Sequence, residues 1–176
     1  MMKFIVTAKK EADIINLMVN TASVDLSKVE WDVNHITRAE DDAYCKSWFE
    51  LDDWVDNKEW DKVDDAIMDG EVPTGSMVVV CDEKTNPVWG YVCGNGQTWH
   101  KVYLRENIVV AILKLVHPNA RYFVIGGHTS HVFENKTDIG MWLEEGFNAC
   151  EGSEQRRYAS MMNQLDSGKF VIDYDA

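Results

Sequence analysis

Ser76-Met77-Val78-Val79-Val80-Cys81, then a polar turn closing on Asn86-Pro87, then Val88-Trp89-Gly90-Tyr91-Val92-Cys93: two runs dense in β-branched and aromatic residues, joined by a breaker, predict an antiparallel hairpin. Gly94-Asn95-Gly96 marks a second turn. Residues 98–104 alternate well enough for a third strand. Residues 107–116 are apolar nearly all round, which predicts a buried helix stopped by His117-Pro118-Asn119. Tyr122-Phe123-Val124-Ile125 reads as a short buried strand ending at Gly126-Gly127. A meander that passes into helix-connected strands predicts a mixed α/β sheet.

Working outward, residues 2–7 read as a strand. A helix over 9–20 follows, with Ala12, Ile15 and Val19 at helical spacing and Ile14, Leu17 and Met18 widening the stripe. Residues 21–37 carry no clear period. Residues 39–69 read as helical, with Tyr44, Trp48, Leu51 and Val55 on one stripe, Trp60, Val63 and Ile67 repeating it, and a break near Asp56-Asn57. Residues 70–75 form a loop by composition. A helix from Asn135 to Glu145 leads to Gly146, a natural C-cap. Residues 156–162 read as a final strand, and Phe170 to Tyr174 close the tail.

The 176 residues suit one domain, and 45% apolar content with seven Trp rules out global disorder. No apolar run approaches a bilayer span, and the opening Met1-Met2-Lys3-Phe4-Ile5-Val6 is too short for a signal peptide. Reduced thiols in a cytosol are therefore expected. Cys45, Cys81, Cys93 and Cys150 form no CxxC pair, so no metal site is expected. The net charge of −13 disfavours direct binding to a nucleic-acid backbone, which needs clustered Lys and Arg. The charge is uneven: between Glu40 and Glu71 there are thirteen carboxylates against three lysines.

The order of elements resembles the GNAT (GCN5-related N-acetyltransferase) superfamily. Phe4-Ile5-Val6-Thr7-Ala8-Lys9-Lys10-Glu11-Ala12-Asp13 is similar to that family's first strand and its lead into the first helix. Residues 78–90, ending Val88-Trp89-Gly90, resemble its central hairpin. Residues 135–147 resemble its late motif, with Asn135 seven residues before Trp142 and Glu144-Glu145-Gly146-Phe147 at the close. The likeness is greatest to divergent phage-encoded members, including GNAT-like internal virion proteins of short-tailed phages, where a His-bearing loop like Thr129-Ser130-His131 precedes the last helix. The resemblance implies one GNAT-like domain over 1–176: a mixed, mostly antiparallel sheet flanked by helices, an acidic helical insertion at 39–70, and a tail at 163–176.

It also locates an acetyl-CoA site. The family's phosphate loop, Q/R-x-x-G-x-G/A, aligns with Arg105-Glu106-Asn107-Ile108-Val109-Val110. Backbone N–H groups at a helix N-terminus bind pyrophosphate, and small residues let it approach. Arg105 is present, but Ile108 and Val110 stand where Gly and Gly/Ala belong, and Glu106 adds an anion. Trp142 stands where many relatives carry a Tyr that protonates the leaving thiolate, which an indole cannot do. A GNAT fold with a vestigial cofactor site (Arg105, Ile108, Val110, Asn135, Trp142) and no bound cofactor is expected. In an active acetyl-CoA-dependent N-acetyltransferase, Arg105 and the backbone of 106–110 would hold pyrophosphate. Asn135 would line the cleft, and His100 or Glu106 would be the base toward a basic amine. His100 as a strand-surface residue and Glu106 as a helix N-terminal carboxylate are the plain alternatives.

Two further patterns stand beside it. His35-Ile36-Thr37 and His128-Thr129-Ser130 are similar to the paired H-x-T/S motifs of two-histidine phosphoesterases, with Arg38 departing from that pattern. The acidic helices are either a solvated face or an interaction surface whose carboxylates (Asp52, Asp53, Asp56, Asp61, Asp64, Asp65) mimic DNA phosphates toward a basic protein, with Trp54 as an exposed anchor. The function expected first is a protein-interaction scaffold, either a virion component or an acidic inhibitor of a host protein.

Overall fold

The computed structural model describes residues 2–39, 48–67, 75–81, 86–93, 99–126 and 129–176. The fold is α/β, and the chain divides into two compact units, Met1–Ile112 and Leu113–Ala176.

In the first unit, strands β1 (Lys3–Thr7), β2 (Thr37–Ala39), β3 (Ser76–Cys81), β4 (Pro87–Cys93) and β5 (Trp99–Tyr103) form an antiparallel sheet in the order β2-β1-β3-β4-β5. The β3–β4–β5 meander follows from the two apolar runs and the alternation after them. Side-chain alternation divides the sheet into two buried faces. Val78, Val80, Trp89, Tyr91 and Trp99 share one cluster with Leu51 and Val55 of α2 (Trp48–Asp56) and Val63, Ala66 and Ile67 of α3 (Trp60–Ile67). Phe4, Val6, Met77, Val79 and Val92 belong to the other face and are buried as well.

The predicted break between α2 and α3 is a Schellman turn. The Glu59 N–H reaches the Trp54 carbonyl at 2.8 Å and the Lys58 N–H reaches Val55 at 3.2 Å. Lys58 takes the left-handed conformation, φ 60, that such a turn demands. Lys3, 2% exposed, donates its ammonium to the Ile67 carbonyl at 3.2 Å and so caps α3 from the sheet. The predicted helical stretch before Trp48 lies outside the described residues apart from Ala39, which ends β2.

Helix α1 (Glu11–Asn20) forms where expected, but its buried face differs. Leu17 is fully buried, whereas Ile15, Met18 and Val19 are exposed. The face turned inward is fixed by Ile14 against Gly75, where an added Cβ would lie 2.7 Å from Ile14 Cγ2 and where φ is +83. Helix α4 (Glu106–Val116) buries Ile108, Val109, Ile112 and Leu113, though Leu115 is exposed.

In the second unit, β6 (Tyr122–Gly126) is central, with β7 (Thr129–Phe133) antiparallel on one side and β8 (Val171–Asp173) parallel on the other. The strands thus form two sheets rather than the single one expected. Residues 129–131, expected as a loop, begin a strand. Helix α5 (Lys136–Ala149) starts at Asn135, whose side chain accepts the Asp138 N–H at 2.9 Å. It runs through Gly146, so Gly146 is not a C-cap; its missing side chain instead admits the ring of Tyr158. Residues 156–162 are not a strand but lie within helix α6 (Gly152–Asp166), which buries Met161 and Leu165 at a spacing of four. Val124, Ile139, Leu143, Met161, Leu165 and Ile172 form this unit's core.

Candidate functional site

The residues matched to a phosphate loop lie at the β5–α4 junction of the first unit. Arg105 precedes the first turn of α4, and its guanidinium donates to the Val29 carbonyl. The Arg105 carbonyl accepts the N–H groups of Ile108 at 2.9 Å and Val109 at 3.1 Å. These two donors are therefore engaged in closing the helix. The Ile108 side chain is 2% exposed and faces the core, and Val110 is half-buried. The aliphatic bulk at 108 is thus a packing element, not a plug standing in a cleft. Glu106 is exposed on the first turn, where the helix dipole favours a carboxylate, and His100 is half-buried on β5.

The other two members of the resemblance belong to the second unit. Asn135 is exposed, and besides its capping bond its amide donates to Asp138 Oδ2 at 2.7 Å. The capping role alone accounts for it. Trp142 is an aromatic hub, with His131, Phe133 and Tyr158 at ring distances of 4.7, 5.5 and 5.6 Å. An indole at 142 serves this packing, whereas a single phenol ring would span less of it. Burial, with Tyr174, Cys150 and Glu154 nearby, holds the Tyr158 phenol above its ordinary pKa.

The acidic helices separate into two sets. Asp52, Asp56 and Asp64 are tethers. Lys101 on β5 donates to Asp52, and to Asp56 at 3.3 Å, and its ammonium lies 5.0 Å from the Trp89 ring centroid. Burial opposes the charge on Lys101, but hydrogen bonds to the two carboxylates outweigh it and hold its pKa above the ordinary value. Asp64 accepts from the Trp99 indole at 2.5 Å. Both links pin α2 and α3 to β5. Asp53, Asp61 and Asp65 form the second set and are exposed. Trp54 is not an exposed anchor; it is half-buried against the core, with the Lys62 ammonium 6.0 Å from its ring. Sequence reasoning missed Lys101, although a cation two residues beyond Trp99 on a strand facing acidic helices was a usable signal.

His35 of the first H-x-T motif is an exposed loop residue bonded through Nδ1 to Asp32 at 2.7 Å, and this bond holds the Asp32 carboxyl below its ordinary pKa. His128 of the second motif lies outside the described residues. Cys81, Cys93 and Cys150 are thiols rather than disulfides; burial and the nearby Asp64 raise the pKa of Cys93. Among the described residues no group of three metal-ligating side chains converges, and no helix is long and apolar enough to cross a membrane. Comparison with known proteins finds no matching family model, no matching curated protein and no matching solved structure.

Proposed function

We propose that this chain is a GNAT-like scaffold with a degenerate acetyl-CoA site that works by protein contact, turning the outward carboxylates Asp53, Asp61 and Asp65 toward a basic partner. The observation that carries this reading is how the first turn of α4 is used. Ile108 is committed to the core, the Ile108 and Val109 amides are committed to the Arg105 carbonyl, and Arg105 is committed to Val29. The Ile108 amide would have to leave the Arg105 carbonyl, and the Arg105 guanidinium the Val29 carbonyl, before either could serve a pyrophosphate, which would also sit beside Glu106 in a chain of net charge −13. Fixing α2 and α3 to β5 through Lys101 and Trp99 supports the second half of the proposal, because a rigid array of carboxylates loses less entropy on docking than a mobile one. In the phage setting that the resemblance implies, the partner is a virion component or a host protein that otherwise binds DNA. Capture of that partner should weaken from low to high salt and fail for the triple variant Asp53→Asn, Asp61→Asn, Asp65→Asn. A partner held equally at high salt, or held equally by the triple variant, would refute the electrostatic mechanism.

A further inference from the structure

The second unit contains an open cleft of about 270 Å³ that the proposed function does not use. The segment 116–120, at the end of α4, lines one side, and Val132, Phe133 and Glu134 line the other. We infer that this cleft binds a primary alkylammonium group.

The inference rests on the chemistry of the walls. A helix C-terminus leaves its last carbonyls without helical donors and gathers partial negative charge there. In α4 the His117 N–H still reaches the Leu113 carbonyl at 2.8 Å. The next position is Pro118, which has no N–H to offer the Lys114 carbonyl. The Ala120 N–H goes to His117 at 3.0 Å, which turns it away from Val116. Of these helix-end carbonyls, that of Val116 belongs to a residue that lines the cleft.

A lysine in the last turn usually neutralises such an end. Here that lysine is Lys114, and its ammonium lies over the Phe123 ring, 5.8 Å from the centroid. Glu134 adds a full carboxylate to the same cleft, is exposed, and forms no ion pair among the described residues. The cations nearest to it in the sequence and strand pairing, Lys136 and Arg121, do not line the cleft. Val116, Pro118, Val132 and Phe133 supply apolar surface for an alkyl stem. Carbonyl acceptors call for N–H donors, which a quaternary ammonium lacks, and a bare metal ion would leave the apolar walls unused.

The test is a titration of the intact chain with n-butylammonium chloride, followed by amide NMR, with sodium chloride and tetramethylammonium chloride as matched controls. Shifts should concentrate at residues 116–120 and 132–134. Glu134→Gln should weaken binding about threefold, as expected for one solvent-accessible charge. Equal shifts with either control salt, shifts centred on α2 and α3, or an unchanged affinity in Glu134→Gln would each overturn the inference. Two sources share the chemistry, a free amine and a protein lysine. Tighter binding of 1,4-diaminobutane than of Nα-acetyl-lysine amide identifies the first, and the reverse order identifies the second.

Discussion

Gly140 and Gly146 lie six residues apart on α5 and separate two effects that a Gly→Ala change usually mixes. A Cβ at Gly146 would lie 2.2 Å from Cε1 and 2.3 Å from Cζ of Tyr158. Ordinary carbon contacts are about 3.5–4.0 Å, so the ring would have to retreat by roughly 1.5 Å. It cannot retreat freely, because Tyr158 also abuts Trp142 edge-on at 5.6 Å. Such overpacking costs about 1–3 kcal/mol, against about 1 kcal/mol gained from alanine's helix propensity. At Gly140 nothing lies within 4 Å of the added Cβ, so only the propensity gain remains. Gly146→Ala should therefore destabilise the protein and Gly140→Ala should stabilise it, with a separation of about 1–3 kcal/mol. Urea denaturation followed by far-UV circular dichroism measures both. Gly146→Asn extends the test: a C-cap would tolerate Asn, whereas the Tyr158 contact makes Asn worse than Ala. Equal stability of the two alanine variants would show that the α5–α6 contact is not tight, and the reasoning would fail.

Asp64→Leu should cost about 1–3 kcal/mol, because it leaves the indole N–H of Trp99 buried without its acceptor; denaturation midpoints give the value. Lys101 has a folded pKa raised above its ordinary 10.5. The stability it contributes is complete below that ordinary value and is lost as pH rises through the folded one, so a series from about pH 8 to about pH 12 should show a decline that Lys101→Met makes shallower. Lys58→Gly should raise stability by about 0.5–1 kcal/mol, since glycine adopts the left-handed C′ position of the α2–α3 turn without strain. A thermal melt of Lys58→Gly at or below the parent midpoint would count against the Schellman assignment.

What was legible in the sequence was local. The β3–β4–β5 meander is plain in its β-branched runs, α4 in its apolar block, the α2–α3 break in Asp56-Asn57, and the α5 start in Asn135. Residues 156–162 misled because Arg-Arg-Tyr-Ala-Ser-Met-Met is too short a window; the helical spacing emerges only when Tyr158, Met161 and Leu165 are taken together. Strand β7 was missed although only Gly127 and His128 separate its Thr-Ser-His-Val-Phe run from β6, a spacing typical of a hairpin. The burial of Ile108, the second role of the acids at 52, 56 and 64, and the purpose of Gly146 were not legible. Each depends on partners that are not neighbours in the sequence: the core, β5 and Tyr158. Composition marks a carboxylate as acidic but does not reveal whether it faces water or a lysine from another strand.

The most direct test is a calorimetric titration of the intact chain with acetyl-CoA. With the Ile108 amide and the Arg105 guanidinium held by their own bonds and Glu106 beside them, the prediction is no measurable heat of binding at millimolar ligand. Saturable binding with a micromolar dissociation constant would contradict it, and would make His100 and Glu106 the first residues to replace in a search for acetyl transfer.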